Sequence, residues 1–145
     1  MQLRAFLFFG SFLFCSTMFA QTLAGVWEGS FLLKGNKKQK MNVRMELMEN
    51  EGGFIGVINT RGFEKNTVYG CDYIVIGAAN GEKLSLKKRN VRRGVNMSSD
   101  DCGWFQELDL RVQKINNGEQ LKGYWVWSSE EADQLTVAKS QDSVS

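Results

Sequence analysis

The chain has 145 residues, with 18 Lys and Arg against 16 Asp and Glu, and contains neither histidine nor proline. A formal charge of +2 excludes a strongly basic nucleic-acid binder and a strongly acidic tail protein. The missing histidine excludes Ser-His-Asp and Cys-His catalysis, His-ligated zinc or copper, and a histidine pH switch.

In chain order, Met1-Gln2-Leu3-Arg4 carries one positive charge, and an apolar run from Ala5 through Phe14 follows it. Ser16-Thr17-Met18-Phe19-Ala20 then closes the stretch before the polar Gln21. A basic start, a short apolar middle and a small residue at the cut form the pattern of a removable secretory signal peptide over residues 1–20. The run is too short and too aromatic for a membrane span, and no later stretch is long enough to be a transmembrane segment. The expected location is therefore secreted or periplasmic. The mature chain, 21–145, holds one domain over 21–139 and a flexible tail over 140–145. Cys15 leaves with the signal; an acylated Cys15 is disfavoured because Phe14 stands where lipidation signals want a small residue. Cys71 and Cys102 remain, and two cysteines in an oxidising compartment most simply form one disulfide bond. Free thiols or a redox pair are the alternatives. The bridge is worth roughly 3–4 kcal/mol in the chain-entropy picture.

The mature chain alternates β-prone runs with glycine or asparagine punctuation. Leu23 to Leu33 puts Trp27, Gly29, Phe31 and Leu33 on one face, and Met41, Val43, Met45 and Leu47 alternate with Asn42, Arg44 and Glu46. Glu51-Gly52-Gly53 turns into Phe54 to Ile58, and 61–66 reads as a polar link. Thr67 to Ala78 is nearly apolar on both faces. Asn80-Gly81 signals a hairpin into Lys83 to Lys87. A long polar connection, 89–103, precedes Trp104 to Ile115. Asn117-Gly118 starts a second hairpin into Gln120 to Trp127, where Leu121, Gly123, Trp125 and Trp127 share a face. Leu135 to Lys139 is the last strand. No helix is expected. Eight strands in hairpin succession predict an all-β, antiparallel up-and-down β-barrel, because closure removes exposed edges. Eight strands enclose just enough space to be filled by side chains or to hold one small ligand.

Gly25-Val26-Trp27 resembles the G-x-W signature that opens lipocalins and other calycins, in which the tryptophan plugs the closed end of the barrel. With the all-β run and the Trp-rich stretch Leu121 to Trp127, the mature chain resembles small secreted lipocalin-like barrels. It departs from lipocalins in being shorter, in lacking the helix after the eighth strand, and in offering only Lys139 where an arginine would cover the tryptophan. Gly53-Phe54-Ile55-Gly56 also resembles an avidin opening, with no biotin residues to transfer.

Trp27, Phe31, Trp125 and Trp127 share the inward face of the first and seventh strands. They form either an aromatic-lined ligand cavity, with Arg44, Tyr73 and Tyr124 as polar anchors, or the filling of a solid core. Lys34, Lys37, Lys38 and Lys40 lie in the first connecting loop, and Lys83, Lys87, Lys88, Arg89, Arg92 and Arg93 crowd into eleven residues as a candidate basic patch. It reads either as a contact for an anionic glycan, a lipid head group or a protein partner, or as a solvated hairpin whose lysines discourage strand addition. Asp100-Asp101 lacks the spaced oxygen ligands of a calcium loop, and Asn96-Met97-Ser98 fits a glycosylation acceptor. No catalytic group, metal site or cofactor is assembled, and nucleic acid is not an expected partner. An enzyme would need carboxylates, tyrosine or lysine with strongly shifted pKa values in a cleft, which nothing in the sequence assembles, and two non-enzymatic readings stand ahead of it. In one an exported lipocalin-like protein holds a small apolar ligand or contacts a partner through its loops. In the other, a filled barrel of protease-inhibitor type binds a partner and no small molecule.

Overall fold

A computed structural model describes residues 23–32 and 39–140. The expected signal peptide, Leu33, Lys34, Lys37, Lys38 and the tail from 141 onward lie outside the described residues. Eight strands follow in order: β1 (Gly25–Leu32), β2 (Lys40–Asn50), β3 (Gly53–Glu64), β4 (Thr67–Asn80), β5 (Lys83–Val95), β6 (Glu107–Ile115), β7 (Gly118–Val126) and β8 (Ala132–Lys139). Each pairs antiparallel with its neighbour in sequence, and β1 pairs with β8, so the sheet is a closed eight-stranded up-and-down barrel. The all-β reading holds; the helical content of the described residues is one short 3-10 turn, Asp101–Trp104.

Period-two alternation produces this wall. In β2, Met41, Val43, Met45 and Leu47 are buried while Asn42, Arg44, Glu46 and Met48 face out. The same rule turns Leu108 and Leu110 of β6, Leu121 and Trp125 of β7, and Leu135 and Val137 of β8 inward. The seam is short, running from Trp27 opposite Lys139 to Ser30 opposite Thr136. Gly29 makes it possible: a Cβ there would lie 2.0 Å from the Thr136 carbonyl oxygen.

Several boundaries differ from the sequence reading. Residues 61–64 are not a link but the end of β3, which turns tightly through Lys65 and Asn66, both with positive φ. The expected 89–103 connection is largely strand, since β5 continues to Val95. Register shifts opposite Asp72/Tyr73 and Ile74/Val75 leave Arg92 and Arg89 as extra residues on β5. Such bulges disrupt the alternation that a period-two search needs. Trp104 belongs to the 3-10 turn rather than to β6, and β8 begins at Ala132 rather than Leu135.

The topology gives the barrel two unlike ends. One gathers the start of β1, the end of β8 and the tight β2–β3, β4–β5 and β6–β7 hairpins. There the Trp27 indole donates to the Leu23 carbonyl at 3.0 Å, and the Lys139 ammonium lies 5.5 Å from the Trp27 ring centre. Lys139 thus covers Trp27 by a cation–π contact. The other end gathers the remaining connections, including the one between β5 and β6. A disulfide between Cys71 and Cys102 ties that connection to β4 across 31 residues.

Candidate functional site

The inward side chains at the loop end are aromatic and contributed by four separate places in the chain. Phe31 comes from the end of β1, Tyr73 from β4, Phe105 from just before β6, and Trp125 from β7. Trp125 stacks between Phe105, at 4.1 Å between ring centres, and Phe31, at 5.0 Å. Tyr73 meets Phe105 edge-on at 4.9 Å, and Trp127 closes over Phe31 and Trp125 at 6.2 and 5.6 Å. Trp127 is itself held by its indole, which donates to the Asp133 carboxylate at 2.6 Å. Offset and edge-on contacts at these separations are favourable beyond the area they bury.

Behind this plug the interior is packed. Met45, Ile58, Leu84, Leu110 and Leu121 have 0% of their surface exposed. A void holding even one water beside any of them would give it touchable surface. One polar atom is stranded here: Trp125 Nε1 is buried and has no hydrogen-bond partner. Burial pushes the Tyr73 phenol well above the ordinary tyrosine range, which keeps it neutral.

The outer wall carries a different feature. The registers align Glu28 of β1, Arg44 of β2, Asn59 of β3, Asp72 of β4 and Arg93 of β5 in one transverse row. Asp72 is the buried member at 3% exposure. Its Oδ1 accepts from Asn59 at 2.7 Å and from Arg61 at 2.8 Å, and its Oδ2 accepts from Arg93 Nε at 2.5 Å. Burial pushes this carboxyl up, but the hydrogen bonds from Arg61, Arg93 and Asn59, together with the Arg61 charge, outweigh it and hold it at about 2. At the near end of the row Arg44 approaches Glu28 at 3.8 Å and Glu46 at 3.3 Å, both well exposed. Between these groups lies an open groove of about 560 Å³, lined among others by Asn42, Arg44, Asn59, Arg61 and Arg93.

Of the cavity candidates, Trp27, Phe31, Tyr73 and Trp125 face the interior and Trp127 caps it, whereas Arg44 and the half-exposed Tyr124 sit on the outer wall. The basic candidates do not share one surface. Lys83 pairs with Asp109 at 3.7 Å and Lys87 stands opposite Glu107. Lys88 donates to the Gly103 carbonyl at 2.6 Å, fixing the turn after the disulfide. Arg92 and Arg93 instead join Arg44 and Arg61 on the outer wall. Phe105, Asn59, Arg61 and Asp72 were not singled out in the sequence. Phe105 follows an aperiodic connection, and the other three meet only through cross-strand register, which leaves no local pattern.

Among the described residues, no three His, Cys, Asp or Glu side chains gather to hold a metal ion, and no helix is long and apolar enough to cross a membrane. No family model, curated protein or solved structure matches this chain.

Proposed function

We propose that the protein is an exported lipocalin-like barrel that binds a partner through its outer wall and loop end, with the interior serving as scaffold. The carrying observation is the aromatic plug: five rings occupy the end at which a lipocalin-like barrel would admit a ligand, and the innermost, Trp125, has no accessible surface. Kinship with calycins is supported by Gly25-Val26-Trp27 at the start of β1 and by the cation over Trp27. Export is supported by the Cys71–Cys102 bridge, since such bonds persist in oxidising compartments. Action by binding agrees with a chain that has no histidine.

The test is to incubate the purified protein with a total lipid extract and then analyse it by native mass spectrometry, alongside titration with an apolar fluorescent dye. Bare protein mass and no saturable dye signal are expected. A retained lipid at one per chain would overturn the scaffold reading. A second reading, the small-molecule carrier, is favoured by one observation: the idle Trp125 Nε1 is a donor that an acceptor-bearing guest would satisfy.

A further inference from the structure

We infer that the outer wall holds a receptor for a phosphate or sulfate group, built from Arg61 and Arg93 on the buried Asp72. This assignment rests on the reading that the barrel works from its outside, and it names the ligand chemistry. Asp72 uses both oxygens to fix the two guanidiniums, which therefore lose little freedom when a ligand arrives. Each is only partly used. Arg93 gives Asp72 its Nε–H, and Arg61 gives one terminal nitrogen to Asp72 and to the Thr60 carbonyl. Their remaining donors have no protein acceptor among the described residues and border the groove of about 560 Å³.

The charge count selects the ligand. On the β3–β5 side of the groove, Arg61, Arg93 and the neighbouring Arg92 against Asp72 leave two positive charges, which a dianion balances, while Glu28 and Glu46 outweigh Arg44 by one charge on the other side. Arg92 is exposed on the β5 bulge and makes no ion pair among the described residues. A single carboxylate is satisfied by one bidentate arginine, whereas a tetrahedral dianion offers oxygens to both forks. Glu28 and Glu46 hold Arg44 at the far side of the groove, which directs the anion toward β3 and β5.

The test is titration of the full mature chain with inorganic pyrophosphate, and separately with sulfate, at constant ionic strength. Calorimetry and the Arg Nε–H resonances report binding. Saturable binding is expected, with the Arg61 and Arg93 signals moving first. Arg93→Gln and Arg92→Gln should each weaken it, the former by about tenfold or more. Arg93→Lys should not restore it, since a point charge lacks the fork. Lys83→Gln, at the opposite, hairpin end of β5 where Lys83 pairs with Asp109, should change nothing. Because Arg93→Gln removes a partner of a buried carboxylate, the double variant Asp72→Asn with Arg93→Gln removes that carboxylate as well and leaves the local net charge at its parent value, and it should bind as weakly as Arg93→Gln. Arg92→Gln tests the site without touching Asp72 at all. Non-saturating heats, equal weakening by Lys83→Gln, or full binding by both arginine-to-glutamine variants would overturn the assignment. The dye titration separates the two failures: a saturable apolar signal overturns the outer-wall reading, whereas silence from both dye and pyrophosphate overturns only the anion site.

Discussion

Two indoles in this barrel are equally buried but differ in one hydrogen bond, and the same substitution at each measures what that bond does. Trp27 and Trp125 both have 0% exposure. Trp27 Nε1 donates to the Leu23 carbonyl at 3.0 Å, whereas Trp125 Nε1 has no partner. Replacing indole by phenyl removes roughly 40 Å³, which at about 24 cal/mol per Å³ costs about 1 kcal/mol in cavity formation. The lost apolar burial adds about 1 kcal/mol. At Trp125 the change also deletes a desolvated, unpaired N–H, a relief of about 1–3 kcal/mol, so Trp125→Phe should lie within about 1 kcal/mol of the parent. At Trp27 the change breaks a good bond, strands the Leu23 carbonyl and weakens the Lys139 contact, so Trp27→Phe should cost about 3–4 kcal/mol. Urea unfolding followed by far-ultraviolet circular dichroism gives both values without relying on tryptophan emission. If Trp125→Phe destabilises as much as Trp27→Phe, the Trp125 N–H is not idle. An acceptor inside the plug then holds it, and the scaffold reading gives way to the carrier reading.

The Asp72 carboxyl sits at about 2 when folded against an ordinary 3.8, so its contribution is fully present above pH 4. Protonation of the unfolded chain erodes it as pH falls toward 2, removing about 2 kcal/mol. Acid titration of unfolding free energy should show this loss, and Asp72→Asn should flatten it; an unchanged slope would sever the link to Asp72. Gly29→Ala places a methyl carbon against the Thr136 carbonyl and should open the β1–β8 seam, at a cost of more than about 3 kcal/mol. Exposed edges then favour strand exchange between chains, visible as dimers by light scattering, whereas a stable monomer would show that the seam tolerates a side chain.

Much of the fold was legible in the sequence because side-chain alternation is local. The inward faces of β1, β2 and β7 followed from counting by twos, and the hairpins at Gly81 and Gly118 followed from residues that accept positive φ. The bridge between Cys71 and Cys102 was expected from their number and compartment. The continuation of β5 was not legible, because two bulges put Arg89 and Arg92 out of phase. Nor was the difference between a lined cavity and a filled one: Phe31, Trp125 and Trp127 read identically in both cases.

The sequence by itself determined a meandering all-β chain with Trp27 and Trp125 on the inner face, since burial of one face of a pleated strand needs only neighbours two residues apart. The tertiary structure alone decided that the interior is packed shut and that Asp72 gathers Arg61 and Arg93 on the outer wall. Both outcomes depend on strand register and on closure at Gly29, which bring together residues far apart in the chain. Shifting any one register by a single residue would send every side chain of that strand to the opposite face.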